Sequence, residues 1–204
     1  DNNAEYRTEI SSRNLVDYFS AVPDEKLTEA QLILLAVPVK AFANVISQIR
    51  PHLSSDAVLT DVSSVKSPLL NTMCSPENAA IRFVGGHPIA GSENFGPSAS
   101  QDNLFAGKHF ILTPSKNTDR HVLRTVRELW ESLGAEVSEM DAEAHDQMFA
   151  SVSHLPHLLA YASIHAITNS DKPNALGQSG AGLKDFSRIA SSSPEMWADI
   201  FLVN

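Results

Sequence analysis

The stretch AQLILLAVPV, residues 30–39, decides the fold class. Its core, Leu32 to Val37, is a continuous apolar run of strand length that ends at Pro38. Such a run reads as a strand buried on both faces, as in parallel sheets. Downstream, KAFANVISQIRPHL (40–53) sets Phe42, Val45, Ile46 and Ile49 at helical spacing, and Pro51 stops the pattern. AVLTDV (57–62) predicts a second buried strand and SVKSPLLNTMCSP (64–76) a loop followed by a helix. IRFVGGHPIAG (81–91) predicts a third strand ending in a Gly-rich turn, and KHFILTP (108–114) a fourth. HVLRTVRELWESLG (121–134) is an amphipathic helix closed by Gly134, and AEVSEM (135–140) a final strand. Upstream, residues 1–29 are polar and mixed and read as loop, short helix and loop. Alternation of this kind predicts an open α/β sheet, doubly wound through right-handed crossovers. Ligands bind such sheets at the carboxyl ends of the strands. Val37–Pro38, Asp61–Lys66 and Gly85–Glu93 fall at those ends.

After Met140 the pattern changes to helices alone, which divides the chain into residues 1–140 and 141–204. DAEAHDQMFASVSHLPHLLAYASIHAIT reads as one long helix or two abutting ones, with Pro156 kinking or restarting it. SPEMWADIFLVN opens a last helix, with Ser193 as N-cap and Pro194 at the first helical position. A dinucleotide-binding sheet normally begins with a strand and a Gly-x-Gly-x-x-Gly turn that takes the pyrophosphate. That turn is absent here, and an acidic residue for the adenosine ribose is expected about 20 residues beyond it. Asp1 fits that acidic position, so the expectation is a fragment cut at both ends.

The 204 residues are 43% hydrophobic and 19% charged, enough for a substantial core and against disorder. A net charge of −9 argues against a nucleic-acid or anionic-membrane binder. Cys74 is the single cysteine, so neither an internal disulfide nor a cysteine zinc cluster is available, and the cytoplasm is the expected compartment. No apolar run reaches the roughly 18 residues of a membrane span, and no signal peptide is visible.

Four clusters offer chemistry. In DVSSVK (61–66), Ser64 suits a ligand hydroxyl and Lys66 supplies charge; a helix N-cap with a solvated lysine is the plainer reading. In GGHPIAGSE (85–93), His87 sits between a glycine pair and a proline, on a stiffened loop at the ligand crevice, placed for general-base work. His145-Asp146, His154 and His157 form the third cluster. Its spacing matches no zinc motif, so hydrogen bonding to an anionic substrate is the reading and no metal is expected. In GAGLKDFSR (180–188), Arg188 offers a planar fork for a carboxylate, and Asp185 stands three residues away to orient it; a surface ion pair is the alternative.

GGHPIAGSE, DVSSVK, HDQMFASVSHLPH (145–157) and GAGLKDFSRIASSSPEMWADI (180–200), in this order and spacing, resemble the prephenate/arogenate dehydrogenase family of tyrosine biosynthesis. The resemblance implies a Rossmann domain followed by a helical domain that forms a homodimer. It implies oxidative decarboxylation of a cyclohexadienyl acid, with hydride passing to NAD(P)+. His87 would then accept the hydrogen bond of the substrate hydroxyl and draw off its proton, and Ser64 would help fix hydroxyl and nicotinamide. Arg188 would bind a substrate carboxylate, supported by Asp185 and Trp197. His157 and His154 would meet the substrate side chain, and Ser92 and Glu93 would line the cleft. Asp1, Val37, Pro38, Ser63 and Ser64 would contact the cofactor. An acidic ribose partner favours NAD and leaves NADP open. Lys66, His154, His157, Lys184 and Arg188 would make the basic pocket a dianion needs. His87 must be neutral to act, so activity is expected to fall below its pKa. The alternatives are a β-hydroxyacid dehydrogenase, for which Lys184 is the only candidate base, and a non-catalytic binding module on the same fold.

Overall fold

Five strands form one sheet in chain order: β1 (Leu32–Leu35), β2 (Val58–Asp61), β3 (Arg82–Pro88), β4 (His109–Thr113) and β5 (Glu136–Glu139). The computed structural model describes residues 3–91, 96–170, 177 and 180–204. The pairs β1–β2, β2–β3 and β4–β5 are parallel. β2 is buried on both faces as expected, but β1, at the sheet edge, buries Ile33 and Leu35 and leaves Leu34 exposed. The β3–β4 pair is antiparallel, with His87 opposite Ile111. This difference has a topological reason. Among the described residues, the β3–β4 connection holds a 3-10 turn at Pro97–Ala99 and no α-helix, so the chain returns without a helical crossover.

Neighbouring strand residues feed opposite faces. Ile33, Leu35, Leu59 and Phe83 pack with Phe42, Ile46 and Ile49 of helix α2 (Phe42–Ile49) and with Leu69 and Met73 of α3 (Ser67–Met73). Val58, Val84, Phe110 and Leu112 pack with Val122, Val126 and Trp130 of α4 (Arg120–Ser132). Trp130 stacks on Phe110 with ring centroids 4.0 Å apart. Asp119 caps α4, and Gly134 follows it at φ 82°, a conformation that favours glycine. Helix α1 (Tyr6–Ser12) lies ahead of the sheet.

The helical half starts at α5 (Ala142–Phe149), whose N-cap Asp141 accepts from the backbone N–H groups of Glu143 and Ala144. A π-helical turn, Ala150–His154, then leads into α6 (Leu155–Thr168), with Pro156 in its first turn. The proline therefore restarts the helix, and the widened turn before it absorbs the missing hydrogen bond. Helices α7 (Ala181–Ile189) and α8 (Pro194–Val203) follow, the latter capped by Ser193. Val65 from the sheet half packs with Trp197 and Ile200 of α8, and Lys40 pairs with Asp199 at 2.8 Å. The helical half is thus seated on the carboxyl edge of the sheet.

Candidate active site

Asp61 ends β2 with no exposed surface. Its carboxylate accepts from the backbone N–H of Ser63 (2.8 Å) and of Gly86 (3.0 Å). Lys66, 1% exposed, donates from Nζ to Asp61 Oδ2 and to the Gly86 carbonyl, both at 2.5 Å. Burial pushes the Lys66 ammonium below its ordinary pKa, and the Asp61 charge pulls it back. The glycine pair makes room for this arrangement. A Cβ on Gly85 would lie 2.5 Å from Thr113 Oγ1, and one on Gly86 would lie 2.8 Å from the Asp61 carbonyl oxygen. Two expectations are corrected here. Lys66 is neither a solvated lysine nor part of a substrate-facing pocket, because its donors are used inside the core. His87 stands on strand β3 and not on a loop, because β4 pairs with Gly85–Pro88.

His87, 9% exposed, is the last buried residue of β3. Its Nδ1 lies 2.8 Å from His145 Nε2, and His145 Nδ1 lies 2.8 Å from Asp146 Oδ1. Asp146 also accepts from the backbone N–H of Lys66 and of Ser67, both at 2.8 Å. Burial works against that carboxylate's charge, but the His145, Ser67 and Lys66 hydrogen bonds prevail and hold its pKa below the ordinary value. Phe149 closes the cluster, its ring 4.5 Å from His145 and 4.9 Å from His87. Burial first, then the charges of Lys66, His145 and His154, push His87 down to about 2. It is therefore a neutral imidazole through the range in which enzymes work, the form a general base requires.

A second group adjoins the first. Asn204 Nδ2 donates to the Asp146 carbonyl and meets His154 Nδ1, both at 3.0 Å. Buried His154 stands edge-on to Trp197, and His157 stacks on Trp197 with centroids 3.6 Å apart. His157 Nδ1 donates to the Ser153 carbonyl at 2.9 Å, which leaves Nε2 as its acceptor. Burial, with the Arg188 charge, lowers the His157 pKa despite that bond. His154 is also lowered, chiefly by burial. Arg188 thus stands within electrostatic reach of His157.

The structure gathers His87, His154, His157 and Trp197 at the seam between sheet and helices, and Arg188 stands exposed on α7 within electrostatic reach of His157. Val37 and Pro38 follow β1, and Ser63 and half-buried Ser64 follow β2, at the carboxyl edge. No hydrogen bond joins Ser64 to His87 among the described residues. Asp185 and Arg188 are both exposed on α7 and form no ion pair among the described residues, so the helix does not orient the guanidinium through Asp185. Lys184 is exposed on the same helix. Asp1, Ser92 and Glu93 lie outside the described residues. The bridging role of Asn204 and the Asp61–Lys66 pair carry no sequence signature. The adjacent His145-Asp146 is visible in sequence, but only packing shows that it meets His87.

The lowered imidazoles predict acid sensitivity of the fold. Below about 6.5 the His87 imidazole of the unfolded chain binds a proton, which the buried ring refuses until about pH 2. The stability this group contributes is complete above 6.5 and declines as pH falls. Between pH 7 and pH 5, His87 alone should remove about 2 kcal/mol, with His154 and His157 acting in the same direction. Urea unfolding midpoints at the two pH values test this. Equal midpoints would refute it.

A nucleotide-type α/β sheet whose carboxyl edge meets a buried neutral histidine and a helical half bearing an arginine defines a dinucleotide-dependent dehydrogenase. The family model described as prephenate dehydrogenase, nucleotide-binding domain, matches residues 1–139, and the one described as prephenate dehydrogenase, dimerization domain, matches residues 141–204. The chain belongs to the prephenate dehydrogenase family. It is 34% identical over 201 residues to a cyclohexadienyl dehydrogenase of Zymomonas mobilis, covering 97% of this chain and 68% of that protein. It is 33% identical over 179 residues to a prephenate dehydrogenase of Bacillus subtilis, covering 86% of this chain and 48% of that one. The structure of an Aquifex aeolicus prephenate dehydrogenase in complex with hydroxyphenyl propionate and NAD+ superposes with a TM-score of 0.89 at 38% identity, over 100% of this chain and 71% of that one.

Proposed function

We propose that the protein oxidatively decarboxylates prephenate, or its amino analogue arogenate, with NAD+ in tyrosine biosynthesis. The observation that carries the reading is a buried, neutral His87 at the carboxyl edge of the sheet, hydrogen-bonded to the helical half through His145. The similar Aquifex enzyme holds NAD+ and a hydroxyphenyl acid, which supports both the cofactor and the substrate class. The carboxyl edge suits the cofactor: Ser63 Oγ is buried there with no hydrogen-bond partner among the described residues, next to half-buried Ser64. Val37, Pro38, Ser63 and Ser64 would line the nicotinamide side, and Asp1 would meet the ribose. When bound, NAD+ supplies the acceptor for the hydride that leaves the hydroxyl-bearing ring carbon.

The chain's own residues do the rest. His87 takes the hydroxyl proton at Nε2 as the O–H electron pair becomes the C=O π bond. When the bond to the carboxylate breaks, its electron pair enters the ring and CO2 departs. The ring oxygen recovers the proton from His87, and the product is aromatic. Arg188 holds a substrate carboxylate, and His157 meets the side chain beside Trp197. Ser92 and Glu93 would complete the cleft. The helical half would form a homodimer through the apolar face of α6, where Leu155, Leu158 and Leu159 are exposed. The cytoplasm is the proposed compartment; no helix among the described residues is long and apolar enough to cross a membrane.

Steady-state NAD+ reduction by the full-length protein, with prephenate and arogenate offered separately, tests the reading. Turnover of either confirms it. No turnover from a folded protein refutes it and favours the binding-module alternative. Arg188→Met should raise KM about 10–100-fold with little change in kcat, the loss expected of one charge-assisted hydrogen bond. An unchanged KM would remove Arg188 from the substrate site.

A further inference from the structure

The geometry points to His145 and Asp146 as a positioning pair that holds His87 with its proton on Nδ1 and its lone pair on Nε2. The inference rests on the dehydrogenase reading above. An ionised carboxylate only accepts hydrogen bonds, so the 2.8 Å contact to Asp146 Oδ1 requires the proton of His145 on Nδ1. A neutral His145 then has a bare Nε2. The 2.8 Å contact between that nitrogen and His87 Nδ1 needs one proton, and only His87 can supply it. His87 Nε2 is left as the acceptor, the atom that must receive the hydroxyl proton. Had either ring held the other tautomer, His87 would present an N–H to a hydroxyl it is meant to deprotonate.

The pair is also built to stay in place. His145 has no exposed surface, and its ring lies between His87 and Phe149, at centroid distances of 5.0 and 4.5 Å. Asp146 is fixed by two backbone donors, Lys66 and Ser67, from the start of α3. The charged and titratable groups around the two imidazoles are Lys66 from the β2–α3 loop, Asp146 from α5 and His154 from the π-helical turn. Once His87 carries the substrate proton, the Asp146 charge beyond His145 stabilises the cation. This is the logic by which a carboxylate orients a catalytic histidine in hydrolytic triads, with a second imidazole interposed.

Asp146→Asn tests the assignment in the full-length enzyme. Its amide can donate to His145, which moves the His145 proton to Nε2 and the His87 proton from Nδ1 to Nε2. The expected result is a kcat about 10²-fold or more below wild type, with KM for NAD+ within a factor of about three. Combined with His87→Asn, it should add almost nothing to the loss already caused by His87→Asn, because the pair acts only through His87. Long-range 1H–15N spectra of the imidazoles report the tautomer without any turnover. They should show His87 protonated on Nδ1 in the wild type and on Nε2 in the variant. If Asp146→Asn fails to fold, His145→Phe and His145→Gln replace it. The phenylalanine variant should lose activity, and the glutamine variant, whose amide oxygen accepts the His87 proton, should recover part of it. Wild-type kcat in Asp146→Asn, losses that add in the double variant, or a wild-type His87 protonated on Nε2 would each overturn the inference. So would glutamine performing no better than phenylalanine. Activity lost in His87→Asn but retained in Asp146→Asn would sink the positioning role alone. Absence of turnover in the wild type, with the tautomer as assigned, would sink the dehydrogenase reading alone.

Discussion

His87→Asn is expected to lower kcat by about 10²–10⁴-fold, the range of a lost general base, with the variant still folded. Asparagine keeps a donor near His145 and fits the space between β4 and Phe149, so the effect should fall on the chemical step. KM for substrate and cofactor should move only a few-fold. The wild-type pH profile carries a companion expectation. With His87 held near 2, an acid limb between pH 5 and 7 cannot arise from this imidazole in the free enzyme. The fall in activity expected of an ordinary histidine is displaced below the usual assay range. A variant that keeps its maximal rate would remove His87 from the reaction.

Lys66→Met is expected to have the largest effect on stability. Asp61 would keep two backbone donors and lose its buried cation. An uncompensated buried charge typically costs about 3–5 kcal/mol, or about 6–20 °C in Tm for a chain of this size. Removing both charges with Asp61→Asn and Lys66→Met together should be milder than Lys66→Met alone, because no bare carboxylate remains. Thermal melts of the three variants decide this. A single variant within about 1 kcal/mol of wild type would mean that water reaches Asp61.

Much of this was legible from the chain, for identifiable reasons. VLTD read correctly as a strand buried on both faces, whereas LILL is a strand that buries Ile33 and Leu35 and leaves Leu34 exposed, so its apolar run located the strand but overstated its burial. Ser193, Pro156 and Gly134 marked helix ends because each acts through its own backbone. His87, His157 and Arg188 stood out because their chemistry is unusual beside glycine and proline turns. What stayed hidden depends on long-range packing. Nothing local distinguishes a buried Lys66 from a solvated one, since Asp61 and the Gly86 carbonyl meet it only after β2 and β3 pair. The antiparallel return of β4 is likewise invisible in an apolar pattern that serves either direction. His145-Asp146 could be seen but not interpreted, because α5 must dock before its imidazole reaches the strand.

That docking has a consequence for modularity. The sheet half carries His87 and the cofactor edge, but the side chains that choose which nitrogen of His87 holds a proton come from α5. A sheet half expressed alone would retain every residue of its own fold and still possess an undecided base. Chemistry in this protein is therefore a property of the joint and not of either part, and its rate is a gauge of whether the parts are seated.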